Sequence, residues 1–81
     1  MVEQNEVIDD QFIAYKVRYR LSQQKVTQVA LAKELGVSEF YVSRRVRGEV
    51  PFSAVELGKV AVFLRVEIAY FFPPILSERA S

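Results

Sequence analysis

The sequence predicts a compact all-α protein of five short helices. Apolar residues recur three and four positions apart, capping residues precede several of these runs, and Gly36 and Gly48 follow two of them. The 81 residues suit one domain, and a hydrophobic content of 51% supplies a small core. No segment is a convincing strand, although residues 60–66 are rich in β-branched side chains.

The first helix is predicted to start at Asp9 or Asp10, either of which can cap it, and to end near Ser22. Its apolar stripe consists of Ile13, Val17 and Leu21, with Phe12 beside it. Residues 1–8 lack this periodicity and are predicted to form a flexible N-terminal arm. Residues 23–26 are predicted to be a linker.

Residues 27–48 predict two helices that meet at a glycine turn. Thr27 caps the first, and Gly36 ends it because glycine readily adopts the left-handed conformation found past helix ends. The inward residues of this helix are Leu31, Ala32 and Leu35. Ser38 caps the next helix, which is predicted to run to Arg47 and to stop at Gly48.

The remaining two helices follow a loop at residues 49–52, where Pro51 lacks an amide donor. Ser53 and Glu56 have the spacing of a capping box at the start of the fourth helix. The core stripe of that helix comprises Leu57, Val60, Ala61 and Leu64. A short fifth helix is predicted over 67–72, before two prolines. The predicted domain spans 9–76, and 77–81 form a C-terminal tail.

The third helix has two unlike sides when each residue is rotated by about 100° from the last. Val42 and Val46 share the inward side. The opposite side holds Phe40, Ser43, Arg44 and Arg47, with Tyr41 flanking it. Arginine can bridge guanine N7 and O6, serine can donate or accept, and a phenyl ring can lie against a thymine methyl in the major groove. Core packing of Phe40 and Tyr41 is the alternative interpretation.

Basic residues are concentrated in one part of the chain. Residues 16–47 hold eight basic and two acidic side chains, a net charge of +6, whereas the rest of the chain carries −5. Such a directional field attracts a polyanion to one side of the molecule. Charge alone also fits a solvated basic face that has no partner.

Several classes of protein are disfavoured by composition. The chain has no cysteine and no histidine, which removes thiolate nucleophiles, disulfides and the usual zinc sites. Its three glycines are too scattered for a phosphate-binding loop. We therefore expect no enzyme activity, no metal, no cofactor and no small-molecule substrate. The start resembles no signal peptide, and no apolar run reaches the ~20 residues that span a bilayer.

Five residues in a specific spacing carry a family resemblance: Gln28, Ala32, Gly36, Val42 and Gly48. With Pro51 and the fourth helix, they make residues 27–66 resemble the helix-turn-helix of the Cro and lambda-repressor type, also called the xenobiotic-response-element family. The resemblance implies a lambda-repressor-like fold and a DNA-binding function. About half of the chain is covered.

The resemblance also implies roles for individual residues. Gln28 would bind a phosphate, although a polar helix-end residue without a ligand is the alternative. Residues facing the groove or its edges would be Ser38, Glu39, Phe40, Ser43, Arg44 and Arg47. Glu39 could accept from cytosine or simply favour the helix dipole.

Two positions depart from the family pattern. Arg45 stands where an aliphatic core residue is usual, so Val46 is expected to pack in its place and Arg45 to reach a phosphate. Arg65 stands where a Leu-Gly-Val turn is usual, which predicts a strained or reshaped turn after the fourth helix.

The expected function is that of a sequence-specific transcriptional regulator of double-stranded DNA. A Cro-like phage or bacterial repressor, acting in the cytoplasm of a bacterial host, would insert helix 38–47 into the major groove of an operator. The alternative is a protein-interaction module, such as the DNA-binding half of an antitoxin or a helical adaptor. The apolar segment 70–76 is expected either to form a homodimer contact or to fold back over the first helix.

Overall fold

A computed structural model describes residues 9–73 of the protein, and this part of the chain contains only helices and connecting turns. The α-helices are α1 (Asp10–Gln24), α2 (Gln28–Leu35), α3 (Glu39–Val46) and α4 (Ala54–Leu64), followed by a 3-10 helix (Ile68–Phe71). The all-α prediction is therefore confirmed. The predicted arm at 1–8 and tail at 77–81 lie outside the described residues.

The fifth predicted helix is a single 3-10 turn, so the predicted five helices are corrected to four α-helices within residues 9–73. Tyr70 donates its amide to the carbonyl of Glu67 at 2.9 Å, and Phe72 donates to Ala69 at 3.0 Å. Phe72 is extended, with φ −110° and ψ 156°. Proline disfavours the helical region for the residue before it, so Pro73 leaves too little chain for an α-helix.

The first helix is longer than predicted, because it ends at Gln24 and not near Ser22. Lys25 adopts a left-handed conformation with φ 59°, and its amide bonds the carbonyls of Leu21 and Ser22. This closes the helix without the glycine that such a position favours. The linker is correspondingly shorter than predicted.

Side-chain caps start all four α-helices as the sequence predicted. The capping oxygens belong to Asp9, Thr27, Ser38 and Ser53, and each accepts a hydrogen bond from the amide three residues later. Both halves of the capping box at Ser53 and Glu56 are formed. Gly36 takes a left-handed conformation with φ 73°, as expected of the turn glycine. The strained turn predicted at Arg65 is also present, because this non-glycine residue has φ 61°.

Every element contributes to one hydrophobic core. Its buried members in residues 9–73 include Val17 and Leu21 of α1, Leu31 and Ala32 of α2, Val42 and Val46 of α3, the α4 stripe, and Phe71. Val42 is 0% exposed and Val46 is 1% exposed, which confirms the inward side of α3. The core therefore fixes which side of α3 can face solvent.

Side chains of α1 also cap the C-terminal ends of α3 and α4. Arg18 donates from Nη1 to the Val46 carbonyl at 2.7 Å, and Gln24 donates from Nε2 to the Leu64 carbonyl at 2.7 Å. Carbonyls at helix ends lack partners within the helix, so these bonds stabilise α3 and α4. No local sequence pattern indicates this role of Arg18, because Val46 lies 28 positions away.

The apolar C-terminal segment follows the fold-back alternative as far as the structure describes it. Phe71 is fully buried, and the Lys16 ammonium lies 4.2 Å from the centroid of the Tyr70 ring. Tyr70 and Phe71 therefore fold back against α1 and the core, while 74–76 lie outside the described residues. Within 9–73, no helix has the length and apolar character needed to cross a bilayer.

Candidate nucleic-acid interface

The side of α3 that faces away from the core forms an open surface. Phe40 is 69% exposed, and the side chains of Arg44 and Arg47 are 45% and 50% exposed. Ser43 lies between them and is half-buried. We call these four residues the α3 outer face. The structure brings them together on one side of one helix, as the helical rotation predicted.

Glu49 lies beside both arginines of the α3 outer face. Arg47 donates from Nε and Nη2 to the two carboxylate oxygens of Glu49, at 2.7 and 3.2 Å. Arg44 Nε lies 3.7 Å from the same carboxylate, and Arg47 also donates to the Ser43 hydroxyl. The hydrogen bond from Arg47 lowers the pKa of Glu49, and the same bond raises the pKa of Arg47. In the free protein, one carboxylate therefore offsets part of the charge of this face.

Two further predicted site residues turn toward α4. The Tyr41 hydroxyl donates to Glu56, the guanidinium of Arg45 stacks 3.6 Å from the Tyr41 ring centroid, and Arg45 Nε lies 3.3 Å from Glu56 Oε1. The Arg45 side chain is only 16% exposed. Val46 fills the core position, as expected, but Arg45 pairs with Glu56 instead of extending into solvent. The reason is the half-buried carboxylate across the α3–α4 contact.

The Glu56 carboxylate has its charged form stabilised in this contact. Burial alone would raise its pKa, but hydrogen bonds from the Tyr41 hydroxyl and the Ser53 amide, together with the Arg45 charge, lower the pKa below its usual value. The hydrogen bond to Glu56 conversely raises the pKa of Tyr41. The cluster of Tyr41, Arg45 and Glu56 therefore holds α3 against α4 in a defined orientation.

The other predicted site residues lie at helix N-termini. Gln28 is the first residue of α2 and is half-buried. Ser38 is exposed and uses its hydroxyl oxygen to accept the Tyr41 amide at 3.1 Å. Glu39 is exposed in the first turn of α3, where a negative charge interacts favourably with the helix dipole. The positive ends of both dipoles suit a phosphate near Gln28 and Ser38.

Sequence reasoning missed Glu49 as part of this surface. Its position two residues after Arg47 was a local signal that could have revealed the pair. Glu56 was assigned only to the capping box, and no local pattern links it to Tyr41, which is 15 positions away. Contacts of that separation depend on how the helices cross.

The described residues form an all-helical domain in which α2 and α3 meet at a glycine turn and α3 exposes cationic side chains. This arrangement is typical of the helix-turn-helix class of DNA-binding proteins. A profile of the helix-turn-helix family matches residues 17–71, more than half of the chain. The protein belongs to this family, in its Cro and lambda-repressor branch, whose members are DNA-binding transcription regulators. No curated protein matches the chain significantly.

Proposed function

We propose that the protein is a Cro-like repressor that places α3 in the major groove of an operator and so blocks transcription. The observation that carries this proposal is the two-sided nature of α3: Val42 and Val46 are buried, whereas Phe40, Arg44 and Arg47 are exposed. An α-helix with its side chains is about 10–12 Å across, which fits the major groove, about 12 Å wide.

Base contacts are assigned to the α3 outer face. Arg44 has the geometry to bridge guanine N7 and O6, and Phe40 can lie against a thymine methyl. Their side chains are neighbours, with the Arg44 guanidinium 5.9 Å from the Phe40 ring centroid. Ser43 and Glu39 are the candidates for further polar contacts to base edges. Arg47 would reach a base or a phosphate only after leaving Glu49.

Phosphate contacts are assigned to the helix N-termini. Gln28 and Ser38 lie where orphan amides and the helix dipole favour an anion. Arg45 and Tyr41 were expected to lie at the edge of the interface, and their contacts with Glu56 support a positioning role for both. A phosphate contact by Arg45 would require exchange of Glu56 for DNA.

The protein would act in the cytoplasm of a bacterial host, on a phage or bacterial operator of double-stranded DNA. Two-fold operators separate recognition helices by about 34 Å, so a homodimer would bind two half-sites. The exposed arginines disfavour the alternative of a helical adaptor that has lost DNA binding, because together with Phe40 they offer the contacts that base edges and phosphates accept. Selection of bound sites from random duplexes tests the proposal. Recovery of no preferred sequence would contradict it.

Replacing Arg44 tests its base-reading role directly. The R44A variant is expected to lose about 1–3 kcal/mol of binding free energy for the selected site and to accept other bases at one position. Competition binding with single-base variants of the site measures both effects. The matched control is Lys33→Ala, which removes an exposed charge from α2 and leaves the base preference unchanged.

Replacing Gln28 provides the complementary result. Because a phosphate contact carries no direct base information, Q28A is expected to weaken binding to all duplexes by a similar factor. An altered preference at one base position would instead place Gln28 in the groove.

A further inference from the structure

We propose that the outward side of α4 is a self-association surface at which two copies of the chain pair. We call this surface the α4 outer face, and its residues are Val55, Gly58, Lys59 and Val62, with Glu34 of α2 beside them. The proposal deepens the proposed function, because pairing would join two recognition helices, but the contact itself can be tested without DNA.

Helix α4 is apolar on both of its sides. Its inward side supplies Leu57, Val60, Ala61 and Leu64 to the core, yet Val55 and Val62 on the outward side are 68% and 79% exposed. Val62 is the most exposed large hydrophobic residue of the described chain. Neighbouring apolar side chains that remain exposed on one helix face mark a site for contact with another surface.

Nothing within residues 9–73 explains a glycine at position 58. It lies inside α4, where glycine costs about 0.5–1 kcal/mol relative to alanine. A Cβ atom added at this position would meet nothing within 4 Å. Gly58 falls between Val55 and Val62 on the exposed side and lines the same groove as both. A glycine there allows the backbone of another helix to approach closely.

The charges of the groove point to a second copy as the occupant. Glu34 and Lys59 both line a groove of about 550 Å³. Neither takes part in the ion pairs found within residues 9–73. In a two-fold interface the same patch meets itself, so Lys59 of each copy can face Glu34 of the other. Both charged residues of the groove then have a partner of opposite charge in the second copy.

The α4 outer face shares no residue with the α3 outer face, so pairing leaves the DNA-contacting residues free. The α4 outer face is a small patch compared with a standard interface, which uses roughly 20–30 residues a side. We therefore expect a weak, transient dimer. Two half-sites on one duplex would raise the local concentration and promote pairing.

Concentration-dependent NMR tests the interface in the absence of DNA. Between about 10 µM and 1 mM, amide shifts are expected to change around Glu34, Val55, Gly58 and Val62, with a slower-tumbling species at the upper end. Shifts that do not change with concentration overturn the proposal. Changes centred on another exposed apolar surface, such as Tyr15 and Tyr19 of α1, overturn it as well.

Charge reversal tests the arrangement of the pair. E34K and K59E are each expected to weaken self-association at least tenfold, because each brings like charges together. Mixing the two variants is expected to restore pairing, because both contacts of the mixed dimer join opposite charges again. The matched control K33E alters an exposed neighbour of Glu34 outside the groove and is expected to pair as the original protein does. Failure of the mixture to pair contradicts the two-fold arrangement.

The neutral variant V62Q separates this proposal from the proposed function. It is expected to bind a single half-site with unchanged affinity and to lose cooperativity on two half-sites. Concentration-dependent shifts without any DNA binding would refute the proposed function alone. DNA binding without self-association would refute the dimer alone.

Discussion

Glu49 is the single residue with the greatest influence on the charge of the α3 outer face. It contacts Arg47 through two hydrogen bonds and lies 3.7 Å from Arg44 Nε. All three side chains are about half exposed, so water and salt weaken these pairs and they add little to stability. Their main consequence is for binding, because a phosphate or a base must compete with Glu49 for both arginines.

The E49Q variant is expected to bind all DNA sequences more tightly, because Arg47 is released and one repelling charge is lost. The logarithmic salt dependence of affinity should steepen by about one unit if Arg47 then contacts a phosphate. Titrations at several salt concentrations measure both changes. Glu67→Gln makes the same change of charge at an exposed residue beyond α4 and is expected to leave both quantities unaltered.

At the scale of the elements, the contact between α3 and α4 depends on Glu56. This carboxylate caps α4 through the Ser53 amide at 2.9 Å and accepts hydrogen bonds from Tyr41 and Arg45 of α3. One side chain thus satisfies the start of one helix and orients the other. Since α3 carries the exposed arginines, Glu56 sets the angle at which they are presented.

The E56Q variant retains a capping residue but loses the charge, so its free energy of unfolding at pH 7 should fall by about 1 kcal/mol. A carboxyl group whose pKa is lowered by folding stabilises the folded state above its unfolded pKa, and this contribution disappears as the pH falls through the folded pKa. The difference between E56Q and the original protein should therefore narrow below about pH 4.5. Urea unfolding at several pH values measures it. A gap that stays constant down to pH 3 would contradict the charged contact.

The turn after α4 offers a stabilising substitution. Arg65 has φ 61°, a conformation that costs a non-glycine residue about 1–2 kcal/mol. R65G is expected to raise the free energy of unfolding by about 0.5–1 kcal/mol, after the greater entropy of the unfolded glycine is allowed for. Thermal unfolding followed by circular dichroism tests this. Lys33→Gly, within α2, should instead lower the free energy of unfolding by about 1 kcal/mol. If both substitutions changed the free energy of unfolding equally, backbone strain at Arg65 would be refuted.

For the whole molecule, two phenylalanines separate stability from binding. Phe71 is 0% exposed and closes the core beneath α1 and α4, whereas Phe40 is 69% exposed on α3. A small domain has little stability in reserve, because it buries a modest fraction of its surface. Loss of the buried ring therefore affects the fold, and loss of the exposed ring affects only the surface.

F71A is expected to lose about 3–5 kcal/mol of stability and to be largely unfolded at room temperature. F40A should change the free energy of unfolding by less than about 0.5 kcal/mol and still weaken DNA binding. Circular dichroism melts and duplex titrations of both variants provide the comparison. A cooperative melt of F71A at the original temperature would contradict the core assignment.

The starts of the helices and the inward side of α3 followed from residues within four positions of one another. Local capping and helical periodicity act over that distance, which is why Thr27, Ser38 and Ser53 could be identified as caps from sequence. For α1 the sequence left Asp9 and Asp10 as alternatives, and the structure shows Asp9. The end of α1 was less predictable, because Lys25 closes this helix without a glycine. The 3-10 turn was also less predictable, because only the four residues Ile68–Phe71 are helical before the chain becomes extended at Phe72.

The sequence by itself determined an all-helical domain, the turn at Gly36 and the outward direction of Arg44 and Arg47, because each depends on local backbone preferences and on the period of one helix. Only the tertiary structure decided that Arg45 pairs with Glu56 and that Arg18 caps α3. Those partners are 11 and 28 positions apart, and helix crossing alone brings them together. No local sequence pattern specifies a contact between residues that far apart in the chain.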